Sequence, residues 1–198
     1  PQSLKGPNDI ANNCSGTVYT YDTAFRPLCT DAPDGGQTCS SYPSQTETDV
    51  SGVSDTVRHF FDGFGRETEI KEDSAGIEVD KTYDFFNRLN SISNSHYQSN
   101  SPSDGITFFA YDALGRQSSQ KAPDSSMQAW TFTGNTALYT DANGNQWQRT
   151  SDSSGRLVRV LEPNGSSQTA SMETDYCYDA LNNLTYVMQS GGSAGSFT

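Results

Sequence analysis

The stretch TFFAYDALGRQS, residues 107–118, places a phenol, a carboxylate and a guanidinium close together at Tyr111, Asp112 and Arg116. Taken alone, that trio looks like an acid–base site beside an aromatic ring. Other stretches also carry candidate chemistry. Gly191-Gly192-Ser193-Ala194-Gly195 matches the nucleophile-elbow pattern, but no room for a helix and no histidine follow it, so it reads as a flexible Gly/Ser tail. His59 reads as a strand residue and His96 as a loop residue. Glu67 and Glu69 are expected to share a strand face and to form solvated surface. In Asp141-Ala142-Asn143-Gly144-Asn145 the glycine comes two positions too early for an EF-hand. None of these completes a catalytic set, and the sequence reads as a non-enzyme with no cofactor and no metal site.

The Asp112 trio changes meaning once it is found again along the chain. Phe61-Asp62 with Gly65-Arg66, Tyr83-Asp84 with Asn87-Arg88, and Tyr178-Asp179 with Asn182 repeat the order of Tyr111-Asp112 with Gly115-Arg116. Weaker copies are Tyr21-Asp22, Asp141 with Gly144, and Asp152 with Gly155-Arg156. The motif aspartates at 22, 62, 84, 112, 141, 152 and 179 are separated by 40, 22, 28, 29, 11 and 27 residues. Most of these intervals suit one two-stranded unit with a variable loop, which makes the chain a repeat array. The interval of 40 suggests a hidden degenerate copy. The interval of 11 suggests opposite ends of adjacent hairpins.

Each residue type in the motif fits a hairpin corner. The aromatic ends a strand, where its ring packs and a hydroxyl finds a partner. The aspartate accepts from backbone N–H groups further along the turn. Glycine, or asparagine at Asn87 and Asn182, supplies the left-handed backbone that closes the loop. Arginine returns across the loop towards the aspartate, with its stem free to cover a ring. At the Asp22 copy Phe25 stands in the left-handed position; a bulky residue is costly there, so another turn geometry is expected.

The elements that carry these corners read as short strands rich in β-branched and aromatic residues: 57–61, 67–72, 78–83, 89–93, 107–111, 129–132, 137–139, 157–161, 174–178 and 184–189. Thr17 to Tyr21 alternates ahead of the first corner. No helical period is sustained, so the chain reads as all-β and antiparallel. One domain is expected: an irregular, cysteine-containing lead-in over 1–56, clear repeats over 57–189 and a tail over 190–198. Residues 30–56 fit either a long loop pinned by cysteines or a degenerate repeat.

Only 32% of the chain is hydrophobic, yet it holds 10 Tyr and 10 Phe, so aromatics are expected to supply much of a buried core. A net charge of −12 repels phosphate backbones and anionic membranes, which excludes nucleic acid as a partner. No apolar run is long enough to span a bilayer as a helix. A chain that begins at Pro1 is expected to be processed or internal. Cys14, Cys29, Cys39 and Cys177 allow three pairings; the expected one is Cys29 with Cys39 and Cys14 with Cys177, against free buried thiols. The Ser/Thr/Asn-rich composition points to a secreted, extracellular or cell-surface protein.

Tyr-Asp-x-x-Gly-Arg followed a couple of dozen residues later by the next Tyr-Asp resembles the YD repeats, also called RHS repeats. Residues 57–189 carry the resemblance, with Tyr111 to Arg116 the best match and Asp152 to Leu157 close. It implies an antiparallel hairpin sheet that spirals into a hollow shell, as in bacterial toxin complexes, polymorphic toxins and cell-surface adhesion proteins. In the toxins the shell encloses a cargo released by a self-cleaving core with an Asp-Pro-x-Gly motif. That motif is missing here, and the copies are too few for a closed shell. The expectation is therefore a structural wall segment whose open edges pair with further repeat strands, from the same chain or from identical subunits. The alternatives are a fragment of a toxin-enclosing shell and an adhesion module in which Trp130, Trp147 and Tyr139 stack on surface glycans; core packing is the competing use of those rings.

Overall fold

A computed structural model describes residues 2–3, 16–52, 55–99, 105–164 and 167–190. The chain divides into two compact units, Pro1–Ile106 and Thr107–Thr198.

The first unit is an antiparallel meander. It comprises β1 (Gln2–Ser3), β2 (Val18–Tyr21), β3 (Pro27–Asp31), β4 (Gln37–Ser44), β5 (Glu47–Ser51), β6 (Thr56–Phe61), β7 (Glu67–Glu72), β8 (Ile77–Tyr83), β9 (Leu89–Ser93) and β10 (His96–Tyr97). Each strand from β2 to β9 pairs with the next in sequence, and β1 joins the sheet beside β2. Two strand segments share the far side of β8. Lys81 faces Ile92 of β9, whereas Glu78 faces His96 of β10. Extending the β9 register would bring Ser95 opposite Glu78, so one inserted residue places His96 there, as a β-bulge does.

The second unit begins within β11 (Ile106–Tyr111) and continues through β12 (Gln117–Lys121), β13 (Met127–Thr133), β14 (Thr136–Thr140), β15 (Gln146–Ser151), β16 (Leu157–Asn164), β17 (Ser167–Tyr178) and β18 (Leu184–Ser190). Again each strand pairs antiparallel with the next. The chain is all-β, as expected from its strand pattern.

Three expectations need correction. No hydrophobic side chain is buried among the described residues; the buried polar side chains are those of Ser91 and Ser93. Within each unit the described strands form a meander with no second layer packed on it among the described residues, so most strand aromatics are half-covered by neighbours in their own sheet, the corner residues Phe25, Phe64, Phe85 and Phe86 stay exposed, and no core is built. Of the two readings of residues 30–56 the long loop fails and the degenerate repeat fits: β3, β4 and β5 run through its described part, with Cys29 directly opposite Cys39. His96 is a strand residue, not a loop residue.

Strands β3, β4, β5, β12 and β15 also lacked a readable pattern. They carry runs such as QSSQK and QWQRTS, and a strand with neither face sealed by a second layer needs no apolar alternation.

Candidate functional site

The corner is the recurring constellation, and its geometry is the same in every intact copy. At Asp112, Oδ1 accepts from the backbone N–H of Leu114 and of Arg116, both at 2.9 Å, and Oδ2 accepts from Arg116 Nε at 2.7 Å. The Asp112 N–H donates to the Arg116 carbonyl at 2.9 Å, and the Gly115 N–H to the Asp112 carbonyl at 3.0 Å. Gly115 has φ 81°, and the strand register slips between Ala110 and Tyr111. This is a turn closed by a left-handed residue that forms a bulge, a common hairpin connection.

Asp22, Asp62, Asp84 and Asp152 make the same side-chain set with Arg26, Arg66, Arg88 and Arg156. Asp141 and Asp179 make it with asparagine: Nδ2 of Asn145 and of Asn183 donates to the aspartate Oδ2 at 2.8 and 2.9 Å. Both asparagines stand where the other copies have arginine. Asparagine donates from one amide nitrogen where arginine offers a guanidinium fork, and one bond to Oδ2 suffices for the turn.

The Phe25 corner overturns the expected exception. Phe25 has φ 62°, and Asp22 and Arg26 make the standard bonds around it. The bonded aspartate forces the left-handed conformation on a residue that disfavours it.

Side-chain donation from Arg66 is the largest influence on Asp62, and donation from Arg156 the largest on Asp152. Both hold the carboxyl below its ordinary 3.8, against a smaller opposing desolvation. The carboxylates are ionised hydrogen-bond acceptors at neutral pH. The Asp141 loop spends its oxygens in the same way, on Asn143 and Asn145.

The arginine also reaches the following repeat. The guanidinium carbon of Arg66 lies 4.8 Å from the ring centre of Tyr83, that of Arg156 5.0 Å from Tyr178, and that of Arg26 4.1 Å from Tyr42. Each of those tyrosines donates its hydroxyl to the carbonyl just after the same arginine. Tyr83 reaches Glu67 at 2.9 Å, Tyr178 reaches Leu157 at 2.8 Å and Tyr42 reaches Pro27 at 2.8 Å. Tyr42 thus marks the degenerate copy hidden in the interval of 40. Arg116 lies 4.0 Å over Phe132, which has no hydroxyl to donate. The signal that could have revealed these links is an aromatic 16 to 22 residues beyond each motif arginine.

Other sequence candidates are placed as follows. Cys29 and Cys39 form a disulfide, with Cα atoms 4.0 Å apart. Cys177 carries a free, exposed thiol, and Cys14, its expected partner, lies outside the described residues, as does the Gly191 to Gly195 motif. Glu67 meets His59 Nδ1 at 2.6 Å and Lys81, whereas Glu69 meets Lys71 at 2.8 Å, so the two carboxylates serve different ion pairs. Trp130, Tyr139 and Trp147 sit opposite one another on successive strands, with ring centres 5.2 and 5.6 Å apart and tilts of 33° and 31°. With Ala137 and Arg149 they line an open concavity of about 400 Å³. Each tryptophan thus packs on the tyrosine between them. Among the described residues no helix is long and apolar enough to cross a membrane.

The corners and pairings define an antiparallel hairpin-repeat sheet. Solved structures share that fold. The crystal structure of TcdB2-TccC3-TEV matches 92% of this chain with a TM-score of 0.66 at 13% identity, and that of TcdB2-TccC3 matches 87% with 0.58 at 11%. This chain spans 10% and 14% of their respective lengths. That shared fold agrees with the sequence resemblance to the YD, or RHS, repeats. No family model and no curated protein matches.

Proposed function

We propose that this chain is a structural scaffold: an extracellular stretch of YD-repeat sheet that forms part of a shell wall and joins further repeat strands along its edges. The observation that carries this reading is the coupling between corners, where the arginine that closes one hairpin stacks on the tyrosine of the next and that tyrosine bonds back across the gap. Such a device fixes one repeat against another, and the side chains it uses are consumed by it. The fold shared with Tc toxin shell chains supports the wall-segment reading. Apolar tips along the corners, Phe64 and Phe85 in the first unit and Leu114 and Leu181 in the second, are exposed and give a wall segment surface to cover.

Sedimentation velocity over a wide concentration range tests the proposal. Edge-joined scaffolds give species that grow with concentration. A stable monomer at the highest concentration contradicts edge pairing. Tryptophan fluorescence during a glycan screen should show no shift, because the rings of Trp130 and Trp147 already pack on Tyr139.

A further inference from the structure

One cluster lies outside the corner system. Glu78 and Asp80 point from the same face of β8, two residues apart, and the β10 bulge sets His96 opposite Glu78. A ligand atom from each of the three residues lies within 4.8 Å of the others. His96 Nε2 is 3.3 Å from Glu78 Oε1 and 3.5 Å from Asp80 Oδ2. The imidazole and Glu78 side chains are only 12% and 11% exposed, while Asp80 at 37% opens to solvent.

The imidazole is oriented from behind. Its Nδ1 lies 3.2 Å from the Asn94 carbonyl, which can only accept, so Nδ1 is the donor there and Nε2 is the ring nitrogen aimed at the two carboxylates. Nε2 is buried and makes no hydrogen bond. Nε2 and one oxygen of each carboxylate therefore lie within 4.8 Å of one another, a spacing that a single bound cation bridges. Two ligand atoms each about 2.0 Å from a tetrahedral zinc ion lie roughly 3.3 Å apart, close to the observed spacing.

The surroundings favour a divalent charge. Lys71 Nζ holds Glu78 Oε2 at 3.2 Å and Glu69 at 2.8 Å, leaving Glu78 Oε1 for His96. Glu69 sits opposite Asp80, so Glu69, Glu78 and Asp80 face a single lysine across β7 and β8. Ser93 Oγ accepts the Asp80 N–H at 2.8 Å and steadies that residue.

We propose that Glu78, Asp80 and His96 form a zinc-class divalent metal site with one imidazole and two carboxylate ligands, its fourth position open to water at the Asp80 side. It would tie β8 to the bulged β10 segment.

The test is titration of Zn²⁺ alone into chelator-treated protein whose free thiols have been alkylated, followed by calorimetry and by nitrogen NMR of the imidazoles. One bound ion per chain is expected, with His96 Nε2 shifting on binding. His96→Gln and Asp80→Asn should each weaken binding on the order of tenfold or more, and His59→Gln should leave it unchanged. Absence of binding would overturn the proposal. So would an equal loss in His59→Gln, or a His96 Nε2 that is protonated at neutral pH and unmoved by Zn²⁺. Far-UV circular dichroism of each metal-free variant checks folding, and the more exposed Asp80→Asn keeps the test decisive if His96→Gln does not fold.

Discussion

Replacing Phe25 with glycine should stabilise the protein, although it removes a large apolar side chain. Phe25 holds φ 62° in a corner whose other copies place Gly65, Gly115 or Gly155 there at φ 76°, 81° and 80°. A non-glycine residue in the left-handed region costs roughly 1–2 kcal/mol. Glycine gives back part of that gain, about 0.4–1 kcal/mol, because it loosens the unfolded chain. The Phe25 side chain is 85% exposed, so little packing is lost. The balance is a gain of about 0.5–1 kcal/mol, read as a higher urea midpoint with an unchanged slope. The reciprocal change is a control: a Cβ at Gly65 would meet nothing within 4 Å, so Gly65→Ala should destabilise through backbone strain alone, by about 1 kcal/mol. If Phe25→Gly destabilises while Gly65→Ala behaves as stated, the ring is held by contacts that the corner geometry does not account for, and the reasoning fails.

Three further outcomes follow from the same structure. Asp62→Ala should lower the urea midpoint more than Asp34→Ala, since Asp62 accepts from Phe64, Arg66 N–H and Arg66 Nε whereas Asp34 accepts from Gly36. Asp62 and Asp152 titrate below 3.8 when folded, so their stabilising contribution is complete above that pH and is lost as the pH falls through the folded value. Urea midpoints measured down an acid series should decline below about pH 4, and the decline should be shallower in Asp62→Asn. Reducing the Cys29–Cys39 bridge, which spans a sequence separation of 10, should cost about 2–3 kcal/mol, whereas Cys177→Ser should change nothing in denaturation.

The corners were legible because the aspartate, the left-handed residue and the arginine are each dictated by local geometry that leaves few substitutes. Strands next to a corner aromatic, such as β6, β7 and β9, were legible for the same reason. What could not be read depends on partners distant in sequence. Tyr42 looks like one more residue in a Ser/Thr-rich run until its hydroxyl is seen on the Pro27 carbonyl. Phe132 carries no aspartate after it, so its hairpin left no motif, yet Arg116 stacks on it. His96 owes its facing to a single inserted residue, and composition does not encode a register slip of one. Phe25 failed in the other direction: local preference argued against a left-handed phenylalanine, and the hydrogen bonds of Asp22 overrode it.

The central claim is that the corner arginine couples one repeat to the next. A double-mutant cycle between Arg66→Met, which keeps an apolar stem, and Tyr83→Leu tests it directly, with stabilities from urea denaturation. Stacking of Arg66 over Tyr83 at 4.8 Å predicts a favourable coupling of about 0.5–1 kcal/mol. Additive single and double mutants would show that the two repeats do not sense each other through this contact, and would contradict the account.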